Sequence, residues 1–132
     1  MILVYITLNT MEEGQRLANV LIERRLTNCV NFHPITCTYL WEGKVTTEPE
    51  VVALVKTRAV HFAAVAAAVK ETVPYTNFVG QIEIPRVNDA FAAWLNDVVR
   101  PCSPRPAVRL SREEPCRGNR VWAQCCSHRV RR

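Results

Sequence analysis

Glycine is scarce in this chain, with 4 in 132 residues. No G-x-G-x-x-G, G-x-x-x-x-G-K-S/T or G-x-S-x-G segment occurs, which excludes the backbone cradles that hold dinucleotides and nucleoside triphosphates and the elbow that presents a nucleophilic serine. Histidine is equally thin at 3. His61 stands alone near the start of a predicted helix and the carboxylates are scattered, so no nucleophile, base and orienting group assemble, and we expect no enzyme. The longest apolar run at the start, Met1 to Leu8, falls far short of the ~20 residues of a membrane span. It also has neither the basic leader nor the small-residue cleavage site of a signal peptide, so the sequence predicts a cytosolic protein without a membrane association.

What is present fits one globular domain, with 48% hydrophobic and 22% charged residues. The net charge of +5 is not spread evenly. Residues 1–100 hold nine Lys/Arg against ten Asp/Glu, whereas 101–132 hold eight Arg against Glu113 and Glu114. The chain therefore divides into a neutral body, 1–100, and a basic tail, 101–132, rich in Arg, Pro and Cys. Pro101, Pro104, Pro106 and Pro115 break any helix there, and the composition predicts disorder. An arginine-rich nucleic-acid arm is the sharper alternative, with Trp122 free to stack on a base; otherwise no nucleic-acid partner is expected. Of the 6 cysteines, only Cys29 and Cys37 fall in the body, and a disulfide framework is not expected in a cytosolic chain of this length.

Periodicity orders the body. Ile2, Val4, Ile6 and Leu8 alternate as one face of a first strand. Thr10 and Glu13 have the spacing of a capping box, and Leu17, Ala18, Leu21 and Ile22 continue a helix predicted to reach about Leu26. Cys29 to Glu42 is rich in β-branched and aromatic residues, Pro34 is expected to interrupt it as a proline does at an edge or bulge, and Gly43-Lys44 supplies a hairpin turn. Val51 to Val55 is apolar throughout, as a central strand requires. Thr57 is a candidate cap for a second helix with a Phe62, Val65, Ala66, Val69 stripe, ended by Pro74. A strand near 78–84 and a third helix with Phe91, Trp94, Leu95 and Val98 on its apolar face complete the order β-α-β-β-α-β-α. The expected fold is an α+β, ferredoxin-like β-α-β-β-α-β sandwich with an extra C-terminal helix.

Cys29, His33 and Cys37 form a soft-ligand set and are the body's weak candidates for a metal. At ~3.3 Å per residue, strand positions four apart lie roughly 13 Å from each other, too far for one ion within a subunit. In the tail, Cys116, Cys125, Cys126 and His128 are the flexible alternative for copper or zinc.

Read together, Cys29-Val30-Asn31, Tyr39-Leu40-Trp41-Glu42-Gly43-Lys44, Glu50 through Val55-Lys56-Thr57, Pro74-Tyr75 and Trp94-Leu95 resemble the CutA family of divalent-cation tolerance proteins over about residues 2–99. The resemblance implies a small cytosolic homotrimer of ferredoxin-like subunits, similar in shape to the PII signalling proteins. It implies a tolerance or response to copper and other divalent cations, without catalysis. It also implies a ligand cleft between subunits that involves Tyr39, Trp41, Lys56 and Tyr75. The family's His-Pro-Tyr-x-x-Pro motif reads Val73-Pro74-Tyr75-Thr76-Asn77-Phe78 here, so the metal-contacting imidazole is replaced by Val73, and Ile6 stands where some members carry cysteine. Both changes remove donors that copper prefers. The rival expectation is a structural module that anchors protein partners, with the basic tail as its docking arm.

Overall fold

A computed structural model describes residues 1–99; the basic segment 101–132, with its expected disorder and its Cys/His set, lies outside the described residues. Strand β1 (Ile2–Leu8) buries every second side chain, and Ile2, Val4, Ile6 and Leu8 are at most 1% exposed. Helix α1 (Met11–Glu23) starts at Thr10, whose Oγ1 accepts from the Glu13 N–H at 3.2 Å. The return half of the expected capping box is shifted by one residue, because the Glu13 carboxylate accepts from the Asn9 N–H, 3.1 Å away.

Helix α1 ends at Glu23, not at Leu26. Arg25 takes a left-handed conformation with φ 55°, and the N–H groups of Arg25 and Leu26 turn back to the carbonyls of Ile22 and Leu21, each at 2.9 Å. This closure satisfies the last carbonyls and stops the helix three residues early. Leu26 remains buried at 9% exposure as a plug beneath it.

The chain then runs into a long hairpin of β2 (Cys29–Trp41) and β3 (Lys44–Thr57). Glu42 and Gly43 both have positive φ, 48° and 78°, the pair of conformations that a two-residue type I′ turn demands. The turn therefore falls one residue earlier than expected, which slides every cross-strand pair by two positions and sets Cys37 opposite Glu48. Pro34 does not interrupt the strand; it lies on the sheet edge opposite Val51.

Helix α2 (Phe62–Thr72) follows a single 3₁₀ turn at Ala59–His61. Thr57 does not cap it. Its hydroxyl donates instead to the Leu26 carbonyl, tying the hairpin base to the end of α1. The inward stripe is Val65, Ala68 and Val69; Ala68 takes the inward place expected for Ala66, which is only half-buried. Strand β4 (Val79–Glu83) and helix α3 (Asp89–Val98) complete the order. On α3, Leu95 is buried and Trp94 is 49% exposed, so the apolar face expected there is only partly covered.

The sheet order is β2-β3-β1-β4 with all neighbours antiparallel. Side chains of β1 and β3 join Leu17, Leu21, Val65, Ala68 and Val69 of the two helices in one core. Each fully buried aliphatic side chain adds on the order of 1.5–3 kcal/mol. The other sheet face carries Leu3, Tyr5 and Thr7 of β1 with Lys56, Leu54 and Val52 opposite them. No helix among the described residues is long and apolar enough to cross a membrane.

Candidate functional site: a cleft under the long hairpin

Strand β1 pairs with β3 only as far as Leu8 opposite Val51, while β3 continues back to Lys44 against β2. The distal half of the hairpin, Ile35–Trp41 against Lys44–Glu50, therefore overhangs the sheet. The segment after α2 rises beside it. Pro74 stops the helix, Asn77 Nδ2 donates to the Thr7 carbonyl at 2.9 Å, the Phe78 N–H donates to Thr7 Oγ1 at 3.1 Å, and the Thr7 N–H returns to the Phe78 carbonyl at 3.1 Å. Between this stitched segment and the hairpin lies a cleft of about 730 Å³, lined by Thr7, Asn9, Cys37, Tyr39, Trp41, Glu50 and residues 75–78.

Alternation along β2 places Cys37, Tyr39 and Trp41 on one face, and the register sets Glu48 opposite Cys37 and Glu50 opposite Ile35 on that same face. The Tyr39 hydroxyl donates to Glu48 Oε2 at 2.8 Å. That bond, followed by partial burial and the charges of Glu48 and Glu50, raises the Tyr39 phenol above its ordinary value. Cys37 is also raised, first by desolvation and then by the charges of Glu50 and Glu48. Tyr75 closes the opposite wall: its hydroxyl donates to Glu13 Oε2 at 2.6 Å and accepts from the Asn9 N–H at 2.9 Å. Burial and the bond to Glu13 push its phenol up to about 12 against the lowering effect of the Asn9 bond.

Of the four residues expected at a ligand cleft, Tyr39, Trp41 and Tyr75 come together here. Lys56 does not. It lies at the other end of β3, where its ammonium donates to Cys29 Sγ at 3.0 Å and to Asn31 Oδ1 and sits 5.9 Å from the Phe91 ring centroid. The reason is strand length: Lys56 pairs with Cys29 at the base of the hairpin, whereas Tyr39 pairs with Thr46 near its tip.

The same extension separates the soft-ligand set. Cys29 is engaged by Lys56, Cys37 lines the cleft, and exposed His33 sits between them opposite Val52. Among the described residues no group of three or more His, Cys, Asp and Glu side chains is placed to hold a metal ion. These three residues therefore do not fit one resident ion within a subunit. Val73, in the family's histidine position, is 4% exposed and belongs to the core, so its side chain packs inward instead of lining the cleft.

Sequence reasoning missed Glu48, Glu50 and Glu13 as parts of this site. The signal was available in the turn: once Glu42-Gly43 is fixed as the two-residue loop, the period of two puts Glu48 and Glu50 on the tyrosine face.

An antiparallel sheet in this order, with two helices on one face and a third appended, defines a ferredoxin-like α+β subunit, here with an overhanging hairpin and a cleft beneath it. The pattern of the family described as CutA1 divalent ion tolerance protein matches residues 2–98, and the chain belongs to that family. It is 38% identical over 97 residues to the divalent-cation tolerance protein CutA of Archaeoglobus fulgidus, spanning 73% of this chain and 95% of that one. The solved structure of the periplasmic divalent cation tolerance protein CutA from the same organism superposes with a TM-score of 0.72, at 38% identity, over 75% of this chain and 99% of that one. CutA1 from Oryza sativa gives a TM-score of 0.71 at 37% identity, over 75% and 93%.

Proposed function

We propose that the chain is a non-catalytic, homotrimeric binding or signalling-type protein of divalent-cation tolerance, responsive to copper, with the cleft as its ligand site. One observation carries the assembly. The distal hairpin has a bare edge on each side, β2 outward and β3 beyond Val51, and its tip exposes Leu40 (70%), Trp41 (62%) and Val45 (77%). Unpaired edges with apolar side chains invite strand pairing, and cyclic three-fold closure satisfies them without leaving a growing end. A tightly held ion then needs donors from more than one subunit or from the tail set Cys116, Cys125, Cys126 and His128, because among the described residues one subunit gathers too few.

The deciding experiment is light scattering on the full chain with and without Cu²⁺, paired with calorimetric titration of a body cut back to residues 1–100, which removes the cysteines and histidine of the tail. A trimer at micromolar concentration with a specific heat of Cu²⁺ binding supports this reading. A persistent monomer sinks the assembly. The same exposed tip supports a second reading, a module that anchors other proteins. A trimer that gives no specific heat with Cu²⁺ or other divalent ions selects it.

A further inference from the structure

The cleft has a chemical character of its own, which its place in a metal-tolerance family does not dictate. Four aromatic residues line it: Tyr39, Trp41, Tyr75 and Phe78. Phe78 replaces the second proline of the family motif, and its ring is fixed edge-to-face against Tyr5 with centroids 5.8 Å apart. Gly80 keeps room for that ring, since a Cβ there would meet Phe78 Cζ at 2.5 Å.

Among the described residues of one subunit no Lys, Arg or His lines the cleft, and Glu50 is its lining carboxylate. Glu50 lines the cleft together with the four rings and stands opposite Ile35, on the face of the hairpin that carries Tyr39 and Trp41. Both tyrosine hydroxyls are already spent on Glu48 and Glu13. What they leave for a ligand is ring surface. Aromatic rings around a carboxylate, with no competing cation, attract a positive charge that carries apolar substituents.

We propose that this cleft binds a small alkylammonium cation, with its charge on Glu50 and its alkyl groups against Tyr39, Trp41, Tyr75 and Phe78. The proposal rests on the reading of the cleft as the ligand site and names the ligand class.

The test is an NMR titration of the full-length protein with tetramethylammonium chloride, followed at the Trp41 indole, with neutral tert-butanol, NaCl and Cu²⁺ as separate arms. The Trp41 resonance is assigned from the Trp41→Phe spectrum. Saturable shifts at Trp41 with tetramethylammonium, absent with tert-butanol and NaCl, are the expected result. Glu50→Gln, an isosteric change, is expected to weaken binding about tenfold or more, as loss of a charged partner does. Phe78→Leu is expected to weaken it about two- to five-fold, in line with one exposed cation–π contact.

Equal shifts with tert-butanol, or unchanged affinity in Glu50→Gln, overturn the proposal. If Cu²⁺ shifts the cleft resonances and tetramethylammonium does not, the ligand class fails while the cleft reading stands. If none of the probes moves them, both fail.

Discussion

The two halves of one hairpin follow different rules. In the proximal half, Val51, Val52, Ala53 and Val55 are at most 8% exposed, because β1 pairs on one side and β2 on the other. In the distal half the same two strands continue in unbroken register but lose their third strand and their helices, and Leu40, Trp41 and Val45 face outward. Local sequence makes both halves strand. Burial makes only the first half self-sufficient, and the second becomes available for a cleft and for neighbours.

The largest effect is expected where the proximal half meets the core. Ile6→Ala removes a side chain at 0% exposure opposite Ala53 and is expected to cost about 2–5 kcal/mol in chemical denaturation, as truncations in closed cores do. Loss of under about 0.5 kcal/mol would break the comparison, since surface sites behave that way.

The distal half responds differently. Trp41→Ala is expected to leave the far-ultraviolet circular dichroism of the subunit unchanged while shifting light scattering toward smaller species on dilution. Melting then becomes concentration-dependent, because assembly and stability are linked by mass action. Unfolding of the subunit with no change in assembly would reverse the assignment of the two halves.

A smaller effect sharpens the boundary. Gly14 on α1 faces the proximal strand, and a Cβ there would lie 2.8 Å from Phe32 Cε1 and 3.4 Å from Leu8 Cδ1. Gly14→Ala gains up to about 1 kcal/mol of helix propensity but overpacks the helix–sheet contact by about 1–3 kcal/mol, so a net loss near 1 kcal/mol is expected.

The smallest change is a matter of pH. The folded-state phenol of Tyr75 titrates at about 12 against an ordinary 10.0, so the folded state holds that proton more tightly than the unfolded chain. Its contribution is fully present below pH 10 and is lost as pH rises toward 12. Phenolate absorbance of the 3 tyrosines is expected to contain a component near 12 that Tyr75→Phe removes, while Tyr39, also raised through Glu48, still titrates above its ordinary value. A component near 12 that survives in Tyr75→Phe would place the shift elsewhere.

Much of the order was legible along the chain. The alternation in Met1–Leu8, the Thr10/Glu13 spacing and the apolar run at Val51–Val55 each specify their element through a local rule, and together with the family motifs they specify the ferredoxin-like sandwich. Where prediction slipped, either a longer-range contact or a left-handed backbone position had won. Thr57 offers a helix cap by composition, but the Leu26 carbonyl claims its hydroxyl. Leu26 continues the helical stripe, but the left-handed Arg25 folds it under the helix end.

The sequence by itself determined the elements, their order and the family, because periodicity, capping and turn chemistry act between residues a few positions apart. Only the tertiary structure decided the site. Which glutamates face Tyr39 and why Lys56 lies at the far end of its strand depend on cross-strand register and on how far the hairpin outruns β1, while Val73 is turned inward by the packing of the α2 end into the core. A register slip of two residues changes those partners while leaving every local propensity untouched.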